Sequence, residues 1–137
     1  MVSYKKICIV ISILAAVSNV GYAQNLKTLF SYNRPIAANS KKDFTLDLKG
    51  KSYTSIRIEG KVDRQDVLLF CKTDTMHSYD RVSPMPMPIL YGHMYHKDLF
   101  SLSASLPGMK AKSVHVLLEN KGTISASVQL SIYGMTP

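Results

Sequence analysis

The sequence predicts an all-β domain, an antiparallel β-sandwich or jelly roll of about seven or eight short strands, with a small closed β-barrel as the alternative architecture. Three observations carry this. Apolar and polar residues alternate at period two in several separate runs, which places one set on each face of a strand. Turn-forming residues punctuate the runs, as at Lys49-Gly50-Lys51 and Pro107-Gly108. No stretch repeats its apolar residues at helical spacing.

The most regular stretch is 114–133. In its second half Ile124, Ala126, Val128, Leu130 and Ile132 alternate with Ser125, Ser127, Gln129, Ser131 and Tyr133. Glu119-Asn120-Lys121-Gly122 separates the two halves and reads as a hairpin turn, because Asn and Gly tolerate positive φ. This hairpin is expected to cover a core with its apolar face. Its outward row of serines and Gln129 offers a flat polar binding face.

At the N-terminus, Lys5 and Lys6 precede an apolar run over 7–20, and Gly21-Tyr22-Ala23 places small residues ahead of Gln24. These are the parts of a secretory signal peptide covering 1–23, and the run is short of the ~20 residues a spanning helix needs. No second run of spanning length follows, so the chain after cleavage is expected to lack a transmembrane segment. The remainder, 24–137, is long enough for a single domain with its own core. The whole chain's net charge of +8 includes Lys5 and Lys6; without them it is +6. Cys71 is then the one cysteine, which excludes a disulfide framework within one chain. The expected location is outside the cytoplasm, periplasmic or secreted.

In order along the domain, Leu26, Thr28, Phe30 and Tyr32 alternate weakly ahead of Pro35, as a short edge strand would. A polar link over 37–42 leads to Phe44, Leu46 and Leu48, alternating with Asp43, Asp47 and Lys49. Thr54, Ile56, Ile58, Gly60 and Val62 form an inward set, with Arg57, Glu59 and Lys61 outward. After a turn at 63–65, the run 67–71 is apolar at every position, so it is expected to lie centrally and be covered on both sides. The stretch 73–88 has no periodicity and closes on Pro84, Pro86 and Pro88, which cannot donate to a ladder; it reads as loop. A further strand is expected near 89–95. Phe100, Leu102, Ala104 and Leu106 then alternate with serines up to Pro107-Gly108.

Chemistry-bearing residues concentrate between 76 and 96, where three of the four histidines and four of the six methionines beyond the leader fall. Long loops on β scaffolds carry function disproportionately, and aromatic and thioether side chains make adaptable contacts. Tyr79, Met85, Met87, Tyr91 and Tyr95 are therefore the candidate partner-binding residues. The partner expected is an envelope or extracellular macromolecule, and the spread-out basic excess would suit an anionic one. Nucleic acid is not expected, because no recognition motif occurs.

A different reading of the same segment is copper binding through Met85, Met87, His93 and His96, since thioether suits the reduced ion and imidazole the oxidised one. On the partner-binding reading no cofactor is implied. A third reading is an inhibitor or immunity protein for a secreted toxin. Catalysis is not expected: the nine carboxylates show no paired arrangement, His77, Ser78 and Asp80 lack the setting of a triad, and Cys71 lies in an apolar run. No motif carries a family resemblance.

Overall fold

The structure, a computed structural model, describes residues 25–87 and 99–137. The expected leader at 1–23 and the strand expected near 89–95 lie outside these residues. Among the described residues there are nine strands: β1 (Leu26–Ile36), β2 (Ser40–Asp47), β3 (Ser55–Val62), β4 (Val67–Thr73), β5 (Asp80–Val82), β6 (Met85–Pro86), β7 (Phe100–Pro107), β8 (Ser113–Asn120) and β9 (Ala126–Met135). They form two antiparallel sheets, β1-β9-β3-β7-β6 and β2-β8-β4-β5. Neither closes into a barrel. Among the described residues no helix is long and apolar enough to cross a membrane.

The pairing has a simple logic. The first four strands run alongside the later ones in reverse: β1 with β9, β2 with β8, β3 with β7, and β4 with β5. Folding that long ladder over on itself makes a jelly roll. Between the strands, only the β4–β5 and β6–β7 connections stay within one sheet.

This arrangement corrects the reading of 114–133. β8 and β9 do not pair; they belong to opposite sheets, and residues 121–125 cross between them. The inward phase of β9 holds, with Ala126, Val128, Leu130 and Ile132 buried, but Ile124 lies on the crossing and is 53% exposed. Gly122 is needed for close approach, not for positive φ. A Cβ there would meet Asp66 Oδ2 at 2.9 Å and Asn120 Oδ1 at 3.2 Å. The positive-φ turns are at Asn39, Lys49, Gly50 and Lys110.

Alternation placed the core correctly. Ile56, Ile58 and Val62 of β3 meet Leu102 and Leu106 of β7 and Leu130 and Ile132 of β9, all at or below 2% exposure. From the other sheet Val67, Leu69 and Cys71 of β4 and Val114, Val116 and Leu118 of β8 close the sandwich. Burying each such aliphatic side chain contributes roughly 1.5–3 kcal/mol before chain entropy is set against it. Thr54, counted inward from the sequence, is exposed ahead of β3.

β4 is flanked by β8 and β5, as its composition requires. On its outer face Leu68 is 7% exposed and Phe70, beside Leu117, is half-buried, so that face is only partly covered. β1 is an edge strand, longer than the alternation suggested, and Pro35 is accommodated within it opposite Ser127. The polar link before β2 is shorter than expected, because the ladder already starts at Ser40 opposite Asn120.

Candidate functional site

The outer face of the five-stranded sheet is built from the polar phase of four strands. Register lines up Asn33, Gln129, Lys61, Ser101 and Met85 in one row across β1, β9, β3, β7 and β6. Ser31, Ser131, Glu59 and Ser103 form the next row, and Thr28, Tyr133, Arg57 and Ser105 the one beyond. A depression of about 480 Å³ lies over the centre of these rows. Its floor is low where Ser101, Ser103 and Ser131 supply only a hydroxymethyl group. Its rim rises where Lys61, Gln129, Tyr133 and Met87 stand taller. The volume is within the range of small-ligand pockets; most lining residues are polar in type, while the larger share of the exposed lining surface is apolar.

The chemistry available is hydrogen bonding. Serine hydroxyls and the Gln129 amide both donate and accept, and Tyr133 adds a half-buried ring and a hydroxyl. Glu59 and Lys61 bring one charge of each sign. Arg57 Nη1 lies 3.8 Å from Glu59 Oε1, with both side chains nearly half exposed, so the pair is weak. No histidine lines the depression among the described residues.

The sequence-derived contact residues are only partly brought together. Met87 reaches the rim of the depression, its amide donating to the Leu99 carbonyl at 3.1 Å. Met85, opposite Ser101 in β6, is two residues before Met87 and 67% exposed. Tyr79 is elsewhere: it precedes β5 in the other sheet, with Lys72 Nζ 4.7 Å from its ring centroid. Tyr91, Tyr95, His93 and His96 lie outside the described residues. The polar row of β9 was visible in the sequence. The contributions of Glu59, Lys61, Ser101 and Ser103 were not, because only the β3–β9 and β3–β7 registers place them beside it.

Several titratable groups away from the depression have structural partners. Thr45 Oγ1 is 3.2 Å from His115 Nδ1 and Ser113 Oγ is 3.3 Å from Nε2, so hydroxyls hold both ring nitrogens. Asp63 accepts from the Ser127 amide, and Asp74 from the amides of Lys112 and Ser113. Cys71 is fully buried; desolvation, and then the charge of Asp80, push its thiol up to about 12. A thiol that stays protonated at neutral pH is a poor nucleophile. Among the described residues no three His, Cys, Asp or Glu side chains cluster as metal ligands would.

No protein-family model and no curated protein matches the chain. Solved structures are similar in fold. A lipase of Bacillus licheniformis in its propeptide form superposes with a TM-score of 0.56 at 10% identity, over 81% of this chain and 22% of that one. A family GH115 4-O-methyl-α-glucuronidase with specificity for decorated arabinogalactans gives 0.50 at 9% identity, over 80% of this chain and 18% of that one. A carbohydrate-binding module of Cellvibrio mixtus lichenase 5A, in complex with cellotriose, gives 0.42 at 12% identity, over 81% and 91%. This chain thus spans about a fifth of the first two proteins. Their likeness is one of architecture: an antiparallel β-sandwich.

Proposed function

We propose that this chain is an exported, non-catalytic binding domain that takes a glycan across the outer face of its five-stranded sheet. The observation that carries the reading is the depression over Gln129, Ser131, Ser101 and Ser103. Short hydroxyl and amide groups in parallel rows match the closely spaced hydroxyls of a sugar chain, each able to donate and to accept. Tyr133 and Met87 give the apolar rim against which a sugar's C–H face can rest. A protein partner is less well suited, since interface hot spots centre on buried aromatic and Arg anchors. This keeps the Met- and Pro-rich segment as part of the contact surface and joins it to the polar row of β9. Export is supported by the basic, apolar and small-residue pattern of 1–23.

The test is equilibrium binding of the exported chain to a panel of soluble oligosaccharides, with Gln129→Ala and Ser131→Ala variants. Each neutral hydrogen bond lost weakens binding by about three- to tenfold. Binding that survives both substitutions unchanged, or no binding to any member of the panel, counts against the reading.

A second reading rests on Met85 in β6 and Met87 just past its end, two thioethers two residues apart that could both reach a single soft ion. In it Cu(I) is held by these thioethers, with His93 and His96 as the further ligands. Calorimetric titration with Cu(I) under reducing conditions, on the parent chain and on a Met85→Leu, Met87→Leu variant, separates it from the first.

A further inference from the structure

At the far end of the same sheet, a second cleft of about 220 Å³ opens between the two edge strands β1 and β2. Its walls are apolar, with Leu29, Leu46, Leu48 and Tyr53, while its rim carries Lys27, Lys49 and Lys51. The turn that presents the last two is tightly specified. Asp47 Oδ1 accepts from the Lys49 amide at 2.8 Å, the Lys51 amide donates to the Leu48 carbonyl at 3.1 Å, and Leu48 is buried beneath. Lys49 takes φ of 53°, a conformation that Asn or Gly would adopt more easily. Asp47 is the one carboxylate in the lining, and it is occupied by that turn.

Three ammonium-bearing side chains therefore border a small concavity whose lining holds a single carboxylate, Asp47, so positive charge is in excess there. The Lys27 side chain, interacting with that of Lys51 and carrying the same charge, holds the Lys51 amine below the ordinary lysine value. Like charges held together in this way are relieved by a bound anion. The cleft lies beside the depression on the sheet face, although the two share no lining residue. Thr28 lines the cleft, and its register partner Tyr133 lines the depression.

We propose that Lys27, Lys49 and Lys51 bind a sulfate or carboxylate group carried by the glycan, so that the ligand is an acidic polysaccharide. This deepens the glycan reading and rests on it for the identity of the carrier; the anion site itself does not. In the whole exported domain, inorganic sulfate is titrated while the side-chain signals of the lysines are followed by NMR. Saturable shifts at Lys27 and Lys51, abolished in Lys51→Gln, are expected. Equal, non-saturating shifts at all lysines overturn the site. In parallel, a neutral oligosaccharide and its sulfated counterpart are compared. The sulfated form should bind about tenfold more tightly, an advantage lost in a Lys27→Gln, Lys51→Gln variant that still binds the neutral form. Equal affinity for the two overturns the acidic ligand. Saturation by sulfate with no binding of either sugar keeps the anion site and removes the glycan.

Discussion

Asn120, at the end of β8, donates from Nδ2 to the carbonyl of Ile36, at the end of β1, over 3.1 Å, and both residues are buried. The same amide reaches the carbonyls of Ala37 at 3.3 Å and Ile124 at 2.9 Å, while its Oδ1 accepts from the Gly122 amide at 3.0 Å. Ile36 and Asn120 each stand where the chain leaves one sheet for the other. One side chain therefore joins two crossings that are more than eighty residues apart in sequence. The Asn39 amide, donating to the Gly122 carbonyl at 3.1 Å, makes a second tie between them.

Replacing Asn120 by Ala takes the side-chain partner from the Gly122 amide and the Ile124 carbonyl, and leaves the Ile36 carbonyl with the longer Ser125 Oγ bond and the Ala37 carbonyl with Ser40 Oγ. The expected loss is roughly 3 kcal/mol, read as a lower urea midpoint with an unchanged slope. A substitution tolerated within a few tenths of a kcal/mol would contradict the structural role of this side chain.

That residue also shows where sequence reading reached its limit. Alternation identified β2, β3, β7 and β9 and their buried faces, because the period-two pattern is local. It could not decide whether β8 and β9 pair. A hairpin turn and a crossing between sheets both interrupt the alternation with a few polar residues and a glycine. What distinguishes them here is the burial of Asn120 against Ile36, a contact that no local pattern encodes. The candidate site has the same division. Gln129 and Ser131 were legible as an outward row, whereas Glu59, Lys61 and Ser103 join them only through long-range register. The lysine cleft depends on β1 and β2 meeting at the sandwich edge, which is again a matter of topology.

Gly134 lies where a Cβ would meet Tyr53 Cε1 at 2.5 Å, and Tyr53 is itself 3% exposed. Gly134→Ala should destabilise the domain by about 1–3 kcal/mol through overpacking. A Tyr53→Leu partner substitution, which removes the ring, should recover part of that loss. Thermal unfolding of the two single variants and the double variant checks the coupling.

The Asp74 carboxylate accepts from the Lys112 amide at 2.8 Å and the Ser113 amide at 3.2 Å, bonds that hold its pKa below the ordinary carboxylate value. The sign follows from the direction. A carboxylate depressed in the folded state adds stability above its unfolded pKa of ~3.9, and that stability is lost as pH falls through the lower, folded value. Asp74→Asn should therefore lower stability at neutral pH and flatten the acid limb of the stability profile. Parallel profiles for the two proteins would show that these bonds are not coupled to folding.

Cys71 is fully buried and its thiol is held protonated. Its reaction with a thiol-specific disulfide reagent at neutral pH should be slow in the folded protein and become rapid in denaturant. Rapid labelling without denaturant would contradict its place in the core.

The most direct test of the proposed binding role is a chemical-shift map of the 15N-labelled chain 24–137 titrated with the best oligosaccharide from the panel. Saturable shifts are expected at Glu59, Lys61, Ser101, Ser103, Gln129, Ser131 and Tyr133, joined by Lys27 and Lys51 for a sulfated sugar, with the outer face of the four-stranded sheet unmoved. Shifts centred instead on Tyr79, Phe70 and Leu117, or none at saturating sugar, would contradict it.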